Sequence, residues 1–452
     1  MHTLMFLDPG HFHAALVLRE RHALVADEII VYAREERADT RGGSELAEFL
    51  SLVEAFNRRA ERPTGWRPTV RTGDGALVRL LDERPGDAVV LAGKNDGKMA
   101  TIRHLHDAGL HVLADKPWIT RPDALPDVRH ALGGGAIVME MLTGRHEITS
   151  IVAARLVREP DVFGGFEAGR GEPSIRLASV HHLEKLVNGA PLRRPSWFFD
   201  VRVQGDGLAD IPTHLVAEAQ RLLAAHGRPT TLTPALSLGG RGSEVDCSTD
   251  RHAELISAHC WPTPVPRALF RRVTGLDDFP DDLRAHVDGD ALPYLGNAEL
   301  SFRLRGIVVE IVTRWDLSAP PGGGDTYDAA IVGAGARVRI EQGPHTRFRR
   351  RLLVEPRREG SRVGDALAKA VAAWQADFPG VAVATAPQGF EIDIPAALRT
   401  GHESHFPLAL DEFLRAVDRQ RIDRGRRPDA HAADTVAKYD LLARALASAR
   451  YA

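Results

Sequence analysis

The chain has 452 residues, of which 44% are hydrophobic and 26% charged, and its formal net charge at pH 7 is −3. This length is too great for one ordinary hydrophobic core, so we expect two domains. Proteins that bind nucleic acid or an anionic membrane usually carry a strong positive charge, which this chain lacks. We therefore expect neither partner.

The N-terminal segment and the cysteines indicate the compartment. Residues 4–7 form a short apolar run without the charged region and long apolar core of a signal peptide, so the run predicts a strand. No run approaches the eighteen apolar residues of a membrane-spanning helix. Cys247 and Cys260 are too few for a disulfide framework and indicate reducing conditions. We therefore expect a cytoplasmic protein.

The first third of the chain alternates apolar runs with amphipathic segments. The runs typical of buried strands lie at 4–7, 28–33, 69–72, 88–93, 110–114 and 136–141. Segments with helical spacing lie between them, after Gly10 as far as Ala23, and then at 44–57, 75–83 and 96–108. Six strands with intervening helices predict a doubly wound parallel sheet with right-handed crossovers.

The turn after the first predicted strand is where a dinucleotide-binding fold holds its pyrophosphate. This turn contains one glycine instead of three, in the sequence Asp8-Pro9-Gly10-His11-Phe12-His13. Glycine allows close approach of the backbone, and the following helix N-terminus attracts phosphate. The turn alone is compatible both with a nucleotide site and with an ordinary strand-to-helix connection.

The end of the second predicted strand normally carries the residue that recognises the adenosine ribose. Here it is followed by Arg34, which could bind a 2′-phosphate, and by Glu35, which could bind the ribose hydroxyls. The sequence therefore leaves NAD and NADP open.

Lys116 lies where the predicted strand 110–114 ends, immediately before Pro117, which cannot donate to a strand ladder. Ligands of open parallel sheets bind beyond the carboxyl ends of the strands. The position therefore predicts that Lys116 contacts a bound ligand, although a lysine at the end of a strand can also extend into solvent.

Two motifs, taken together, resemble the glucose-fructose oxidoreductase and inositol dehydrogenase (Gfo/Idh/MocA) family. One is the acid-Lys-Pro sequence Asp115-Lys116-Pro117, and the other is Asp210-Ile211-Pro212-Thr213-His214, with an acid and a histidine four residues apart. The turn Gly10–His13 and the segments 185–191 and 193–200 are similar to a subgroup of oxidoreductases with a C-terminal domain of its own.

The resemblance implies the architecture of the whole chain. Residues 1–146 would form a Rossmann domain, and residues 147–452 an α+β domain with a large open, mostly antiparallel sheet. Two C-terminal helices within about 408–449 would pack back on the Rossmann domain. Because subunit pairing usually covers the open sheet face in this family, the resemblance also implies a homodimer or homotetramer.

The resemblance further implies a site for NAD or NADP and for a carbohydrate-like substrate. His214 would be the acid/base, Asp210 would position the substrate or the imidazole, and Lys116 would bind the reacting oxygen. Asp115 and Pro117 would lie beside the nicotinamide, with Gly93 and Asn95 lining the same crevice. The turn residues Gly10, His11, Phe12 and His13, with Arg34, would complete the cofactor site.

The second domain offers weaker candidates. His181 could contact a sugar, Trp197 could stack on one, and Tyr327 follows a glycine-rich loop that could act as a lid; for each, a structural role is the alternative. Cys247, His252, His259 and Cys260 fit no compact zinc spacing, so we expect no metal.

Three functions remain open at this point. The first is NAD(P)-dependent hydride transfer to or from a secondary hydroxyl of a sugar, polyol or glycoside. The second is glycoside cleavage through transient oxidation by tightly bound NAD⁺. The third is nucleotide binding without catalysis, which the sparse glycine turn suggests.

Overall fold

The computed structural model describes residues 1–34, 45–167, 172–187, 190–226, 251–423 and 430–451. Its first part is a six-stranded parallel sheet with the strand order β3-β2-β1-β4-β5-β6. The strands are β1 (Leu4–Leu7), β2 (Glu28–Ala33), β3 (Arg67–Thr72), β4 (Ala88–Leu91), β5 (His111–Ala114) and β6 (Val138–Glu140). This is the order of a dinucleotide-binding doubly wound fold, so the predicted fold class is confirmed.

Helices connect these strands. They are α1 (His13–Leu16), α2 (Glu45–Arg58), α3 (Ala76–Glu83), α4 (Lys98–Asp107) and α5 (Leu125–Ala131). Helices α2, α3 and α4 lie close to the predicted segments, whereas no segment was predicted at α5. Helix α1 is much shorter than the predicted segment, which extended to Ala23. The reason is a pairing outside the named strands, in which His2 bonds to the backbone of Leu24 and Ala26 and so holds this part of the chain out of the helix.

Alternating side chains of the parallel sheet enter two separate cores. In β1, Met5 and Leu7 belong to one core, while Leu4 and Phe6 belong to the other. All four are buried, as expected for a parallel strand covered on both faces. The core around Met5 continues into the second half of the protein, so the two halves share buried contacts.

The second half is built on a ten-stranded sheet of order β16-β17-β15-β14-β13-β7-β12-β11-β10-β18. Its pairs are antiparallel except β7 with β12 and β10 with β18. The strands are β7 (Ile175–Glu184), β10 (Ala253–Pro266), β11 (Ala291–Leu304), β12 (Ile307–Ser318), β13 (Thr326–Val332), β14 (Ala336–Gln342), β15 (Arg351–Pro356), β16 (Ala382–Ala386), β17 (Gly389–Asp393) and β18 (Arg450–Tyr451). A separate hairpin joins β8 (Leu186–Val187) and β9 (Ala190–Pro191).

The helices of this half are α6 (Ile148–Leu156), α7 (Val201–Gln204), α8 (Pro212–His226), α9 (Arg267–Thr274), α10 (Asp281–Arg284), α11 (Gly360–Ala373), α12 (His405–Asp423) and α13 (Ala430–Ser448). Among the described helices, none combines the length and apolar character needed to span a bilayer.

The last two helices contact the parallel sheet and its surroundings. Phe406, Leu410 and Phe413 of α12 belong to the same core as Leu4 and Phe6. Helix α13 lies between α5 of the first half and α8 and β10 of the second.

Two neighbouring residues of α13, Lys438 and Tyr439, hold the helix through buried contacts. Tyr439 stacks on Trp118 with ring centroids 5.5 Å apart, and both Lys438 and Tyr439 donate to the carboxylate of Glu140 at the end of β6. The side chains of Lys438 and Glu140 are at most 1% exposed.

Candidate active site

A cleft of about 970 Å³ lies between the two sheets. Its first wall is formed by residues that follow the carboxyl ends of β1, β4 and β5, and its second wall by residues of β7, α8, β13 and the start of α12. This is the crevice where ligands of open α/β sheets bind.

Lys116 and Asp210, 94 positions apart, meet in this cleft. The ammonium of Lys116 donates to Oδ1 of Asp210. The side chain of Lys116 is 11% exposed and that of Asp210 3%. The structure therefore brings the two sequence motifs together as one buried ion pair.

A tight turn before α8 positions Asp210 and His214. The carboxylate of Asp206 accepts from the backbone N–H groups of Leu208 (3.0 Å) and Ala209 (3.2 Å). A Cβ on Gly207 would lie 2.4 Å from the carbonyl oxygen of Asn297, so only glycine fits against β11. Helix α8 then begins at Pro212, a favourable first helical residue, and presents His214 one turn after Asp210.

His214 lines the cleft, and its expected role as the acid/base stays a prediction. Burial, followed by repulsion from Lys116, lowers the pKa of His214 well below its ordinary value of about 6.5. At neutral pH the imidazole is uncharged and can accept a proton.

Behind Lys116 lies a second buried lysine that the sequence did not single out. Lys98, which is 2% exposed, donates to Asp115 and to the side-chain oxygen of Asn95. The amide of Asn95 in turn donates to the carbonyl of Gln204 at 2.8 Å. Lysines are mostly exposed, so burial of Lys98 at the start of α4 could not be read from its neighbours in sequence.

The turn after β1 packs directly against the end of β4. The N–H groups of Gly10 and His11 donate to the carbonyl of Ala92 at 3.1 and 3.2 Å. A Cβ on Gly93 would lie 2.6 Å from the carbonyl oxygen of Asp8, so the close approach requires glycine there. A second glycine, Gly93 after the end of β4, thus contributes to the geometry of this single-glycine turn.

The two histidines of this turn face Asp115. Nδ1 of His11 and Nδ1 of His13 lie 3.6 and 3.4 Å from Oδ2 of Asp115, and the imidazole centroids are 4.0 Å apart. Burial, followed by neighbouring histidines, lowers the pKa of both well below its ordinary value. Phe12 contacts both rings, and all three residues line the cleft.

These residues also have the spacing of metal ligands. One ligand atom each from His11, His13 and Asp115 falls within 4.8 Å of the others. The cluster considered in the sequence is different, since Cys247 lies outside the described residues and Cys260 is a buried free thiol on β10. The expectation of no metal stays a prediction.

Arg34 does not line the cleft. Its Nε donates to Oδ2 of Asp8 at 2.9 Å and its backbone N–H to Oδ1 at 2.8 Å, with the arginine side chain 76% exposed. Glu35, the other candidate for ribose recognition, lies outside the described residues. The choice between NAD and NADP stays open.

The three candidates of the second domain all line the cleft. Nδ1 of His181 is 3.0 Å from Asp325, Trp197 donates through Nε1 to Glu45 at 2.6 Å, and Tyr327 donates to Glu218 at 2.9 Å. Each therefore has a protein partner while facing the cavity.

Asp325 is a site residue that the sequence analysis did not single out. It accepts from His181, from Lys185 and from the backbone N–H of His182. Burial opposes its ionisation, yet these neighbours hold the pKa of Asp325 well below its usual range. The only signal was its place after the loop 320–324.

A parallel sheet of dinucleotide-binding order joined to a large, mostly antiparallel sheet defines the fold as a Rossmann-like α/β fold with a second, mostly antiparallel sheet. Residues 152–224 and 243–450 match the family described as "Putative oxidoreductase C terminal domain". Because the match covers more than half of the chain, the protein belongs to this oxidoreductase family. No curated protein sequence matches the chain.

Solved structures agree with this assignment. A crystal structure of a "putative oxidoreductase" from Parabacteroides merdae is 31% identical, with a TM-score of 0.86 over 99% of this chain and 97% of that one. Levoglucosan dehydrogenase, in complex with NADH and levoglucosan, is 15% identical, with a TM-score of 0.55 over 98% and 97%. KijD10, a 3-ketoreductase from Actinomadura kijaniata in complex with NADP and TDP-benzene, is 14% identical, with a TM-score of 0.54 over 99% and 98%. The last two similarities concern the fold alone.

Proposed function

We propose that the protein is a Gfo/Idh/MocA-like, NAD(P)-dependent oxidoreductase that transfers a hydride to or from a secondary hydroxyl of a sugar, polyol or glycoside. The observation that carries the proposal is the buried Lys116–Asp210 pair in a cleft that His214 also lines, at the carboxyl edge of the parallel sheet. The levoglucosan and KijD10 complexes, which hold NADH and NADP, support the choice of cofactor.

The residues of the first wall fit a dinucleotide. Gly93 leaves no room for a side chain where it meets the turn, because a Cβ there would lie 2.6 Å from the carbonyl oxygen of Asp8, and Nδ1 of His11 is buried without a hydrogen-bond partner among the described residues. Gly10, His11, Phe12, His13, Gly93, Asn95, Asp115, Lys116 and Pro117 would hold the cofactor, with Arg34 at the adenosine end. When bound, the nicotinamide supplies the hydride acceptor or donor.

The chain's own groups would then bind the substrate and move its proton. An ammonium has three N–H groups, and Asp210 takes one from Lys116, so others remain for the reacting oxygen. Lys116 would stabilise negative charge that develops on that oxygen. His214, uncharged because burial lowers its pKa, would accept the hydroxyl proton in the oxidation direction.

The first test is a fluorescence titration of nucleotide-free protein with NADH and, separately, NADPH. We expect micromolar binding of at least one, followed by reduction of the oxidised form when a sugar or polyol from a panel is added. Failure of both nucleotides to bind would refute the proposal. Glycoside cleavage without net cofactor reduction would instead assign the redox-neutral function.

We further propose that the protein is a homodimer or homotetramer paired through the ten-stranded sheet. Alternate residues of its strands, such as Glu299 and Arg303 on β11, face outward and are exposed in the single chain. Light scattering coupled to size exclusion would give the mass directly. A monomer at micromolar concentration would refute this proposal.

A further inference from the structure

Arg194 is a buried cation in the cleft wall that the proposed reaction does not use. The residue is 7% exposed and lines the cleft. Its Nε donates to the carbonyl of Leu183 at 2.8 Å and one Nη to the carbonyl of His182 at 2.9 Å. No carboxylate of the described residues pairs with it. Burial lowers the pKa of Arg194 to about 10, so the guanidinium stays charged at neutral pH.

The charges around Arg194 leave it without a counterion. The carboxylates whose charge acts on Arg194 are those of Asp325 and Asp210. Asp325 is paired with Lys185, and Asp210 with Lys116. Three cations thus face two carboxylates, and burial of the remaining charge is unfavourable unless a partner is bound.

The guanidinium is also oriented for recognition. It lies over the rings of Phe198 and Trp315, with its central carbon 4.4 and 5.1 Å from their centroids. Five N–H groups are available in an arginine, and two are donated to carbonyls, which leaves three. A planar fork held in this way suits the two or three oxygens of a carboxylate or phosphate.

Two polar groups without hydrogen-bond partners among the described residues lie on the paired strands β7 and β12. Nε1 of Trp315 and Oγ of Ser179 are buried in the cleft wall without a hydrogen-bond partner among the described residues. Trp315 pairs in register with His181, and Ser179 lies two residues before His181 on β7. Since buried polar groups are almost always satisfied, these donors indicate a ligand with acceptor atoms.

We propose that Arg194, Trp315 and Ser179 form a subsite for an anionic oxygen group, a carboxylate or a phosphate, carried by the sugar-like substrate. The inference rests on the proposed function, because the subsite lies within electrostatic reach of Asp210 in the cleft of the proposed reaction. It narrows the substrate class to sugar acids or sugar phosphates.

The test compares matched ligands by calorimetric titration of protein saturated with NADH. The pairs are D-glucose with D-glucuronate, D-galactose with D-galacturonate, and each hexose with its 6-phosphate; the methyl ester of each uronate is the uncharged control. We expect at least one charged member to bind about 30-fold or more tightly than its neutral partner, the scale for a desolvated charge pair. Comparison of the uronate pairs with the 6-phosphate pairs shows whether the subsite binds a carboxylate or a phosphate.

The variants identify the group responsible. Arg194→Met should bind charged and neutral members equally, and Trp315→Phe, which removes the indole N–H together with the five-membered ring, should reduce the preference. Arg314→Met, at an exposed arginine on β12, is the matched control and should keep the wild-type preference. Where Arg194→Met fails to fold, Arg194→Lys keeps the charge without the fork and should show a smaller preference.

Two results would overturn the inference. One is equal binding, or none, of the charged and neutral members of every pair by the wild type. The other is a preference that survives in folded Arg194→Met. Turnover is measured separately, so that preferential binding without any cofactor reduction would refute the proposed function while leaving the subsite intact.

Discussion

Replacing Lys116 by methionine tests the proposed reaction and the buried ion pair together. The methionine removes the ammonium and leaves the Asp210 carboxylate, 3% exposed, without its cation. Removing one partner of a buried pair costs about 3–5 kcal/mol of unfolding free energy. Losing one electrostatic donor to the reacting oxygen should lower kcat by about 10²–10³-fold.

A double-mutant cycle separates the two effects. Urea unfolding would be measured for Lys116→Met, Asp210→Asn and the double variant, with Lys369→Met on an exposed surface of α11 as the control. The double variant should recover part of the stability lost in Lys116→Met, because no unpaired charge remains, whereas its kcat should stay low.

Two outcomes would refute this reasoning. Unchanged turnover in Lys116→Met would remove the lysine from the chemistry. A double variant that shows strictly additive losses of stability would mean that the contact between Lys116 and Asp210 contributes nothing to folding.

Three further predictions concern other residues. Because the pKa of His214 is lowered, kcat/KM for oxidation should be constant from pH 6.5 to 8 and should fall at lower pH, where the imidazole takes a proton. If the pH profile of His214→Asn retains this fall, the assignment is contradicted. Arg34→Ala should weaken NADPH about 10-fold and leave NADH unchanged if the arginine binds the 2′-phosphate, as paired titrations would show. Glu140→Gln should lower the unfolding free energy by about 3–5 kcal/mol, since Lys438 loses its buried partner, and an unchanged urea midpoint would contradict this.

The parallel sheet was predictable because five of its six strands, all except the edge strand β3, are largely buried. These five strands are mostly apolar runs such as 4–7 or 88–91, and this local signal needs no knowledge of distant contacts. The positions of Lys116 and His214 followed from motifs that lie at element ends. The two motifs did not, however, predict that Lys116 and Asp210 form an ion pair.

The rest of the site depends on contacts between residues far apart in sequence. Lys98, at the start of α4, is buried beside Asp115, which follows the end of β5, and Arg194 is isolated from carboxylates only in the folded sheet. The low pKa of His214 likewise arises from burial beside Lys116. None of these environments has a local pattern, so the sequence could not reveal them.

The packing of α12 has a consequence for the order in which the protein can fold. Leu4 and Phe6 are synthesised long before Phe406, Leu410 and Phe413, which complete their core. During translation, side chains of α1 and α2 such as Leu16 and Phe49 can cover part of this face of the parallel sheet, but the part that α12 covers stays open until residues 405–423 leave the ribosome. Contacts of such long range form slowly and expose a nascent chain to aggregation. The strands of the parallel sheet are therefore made well before the helix that completes one of their cores.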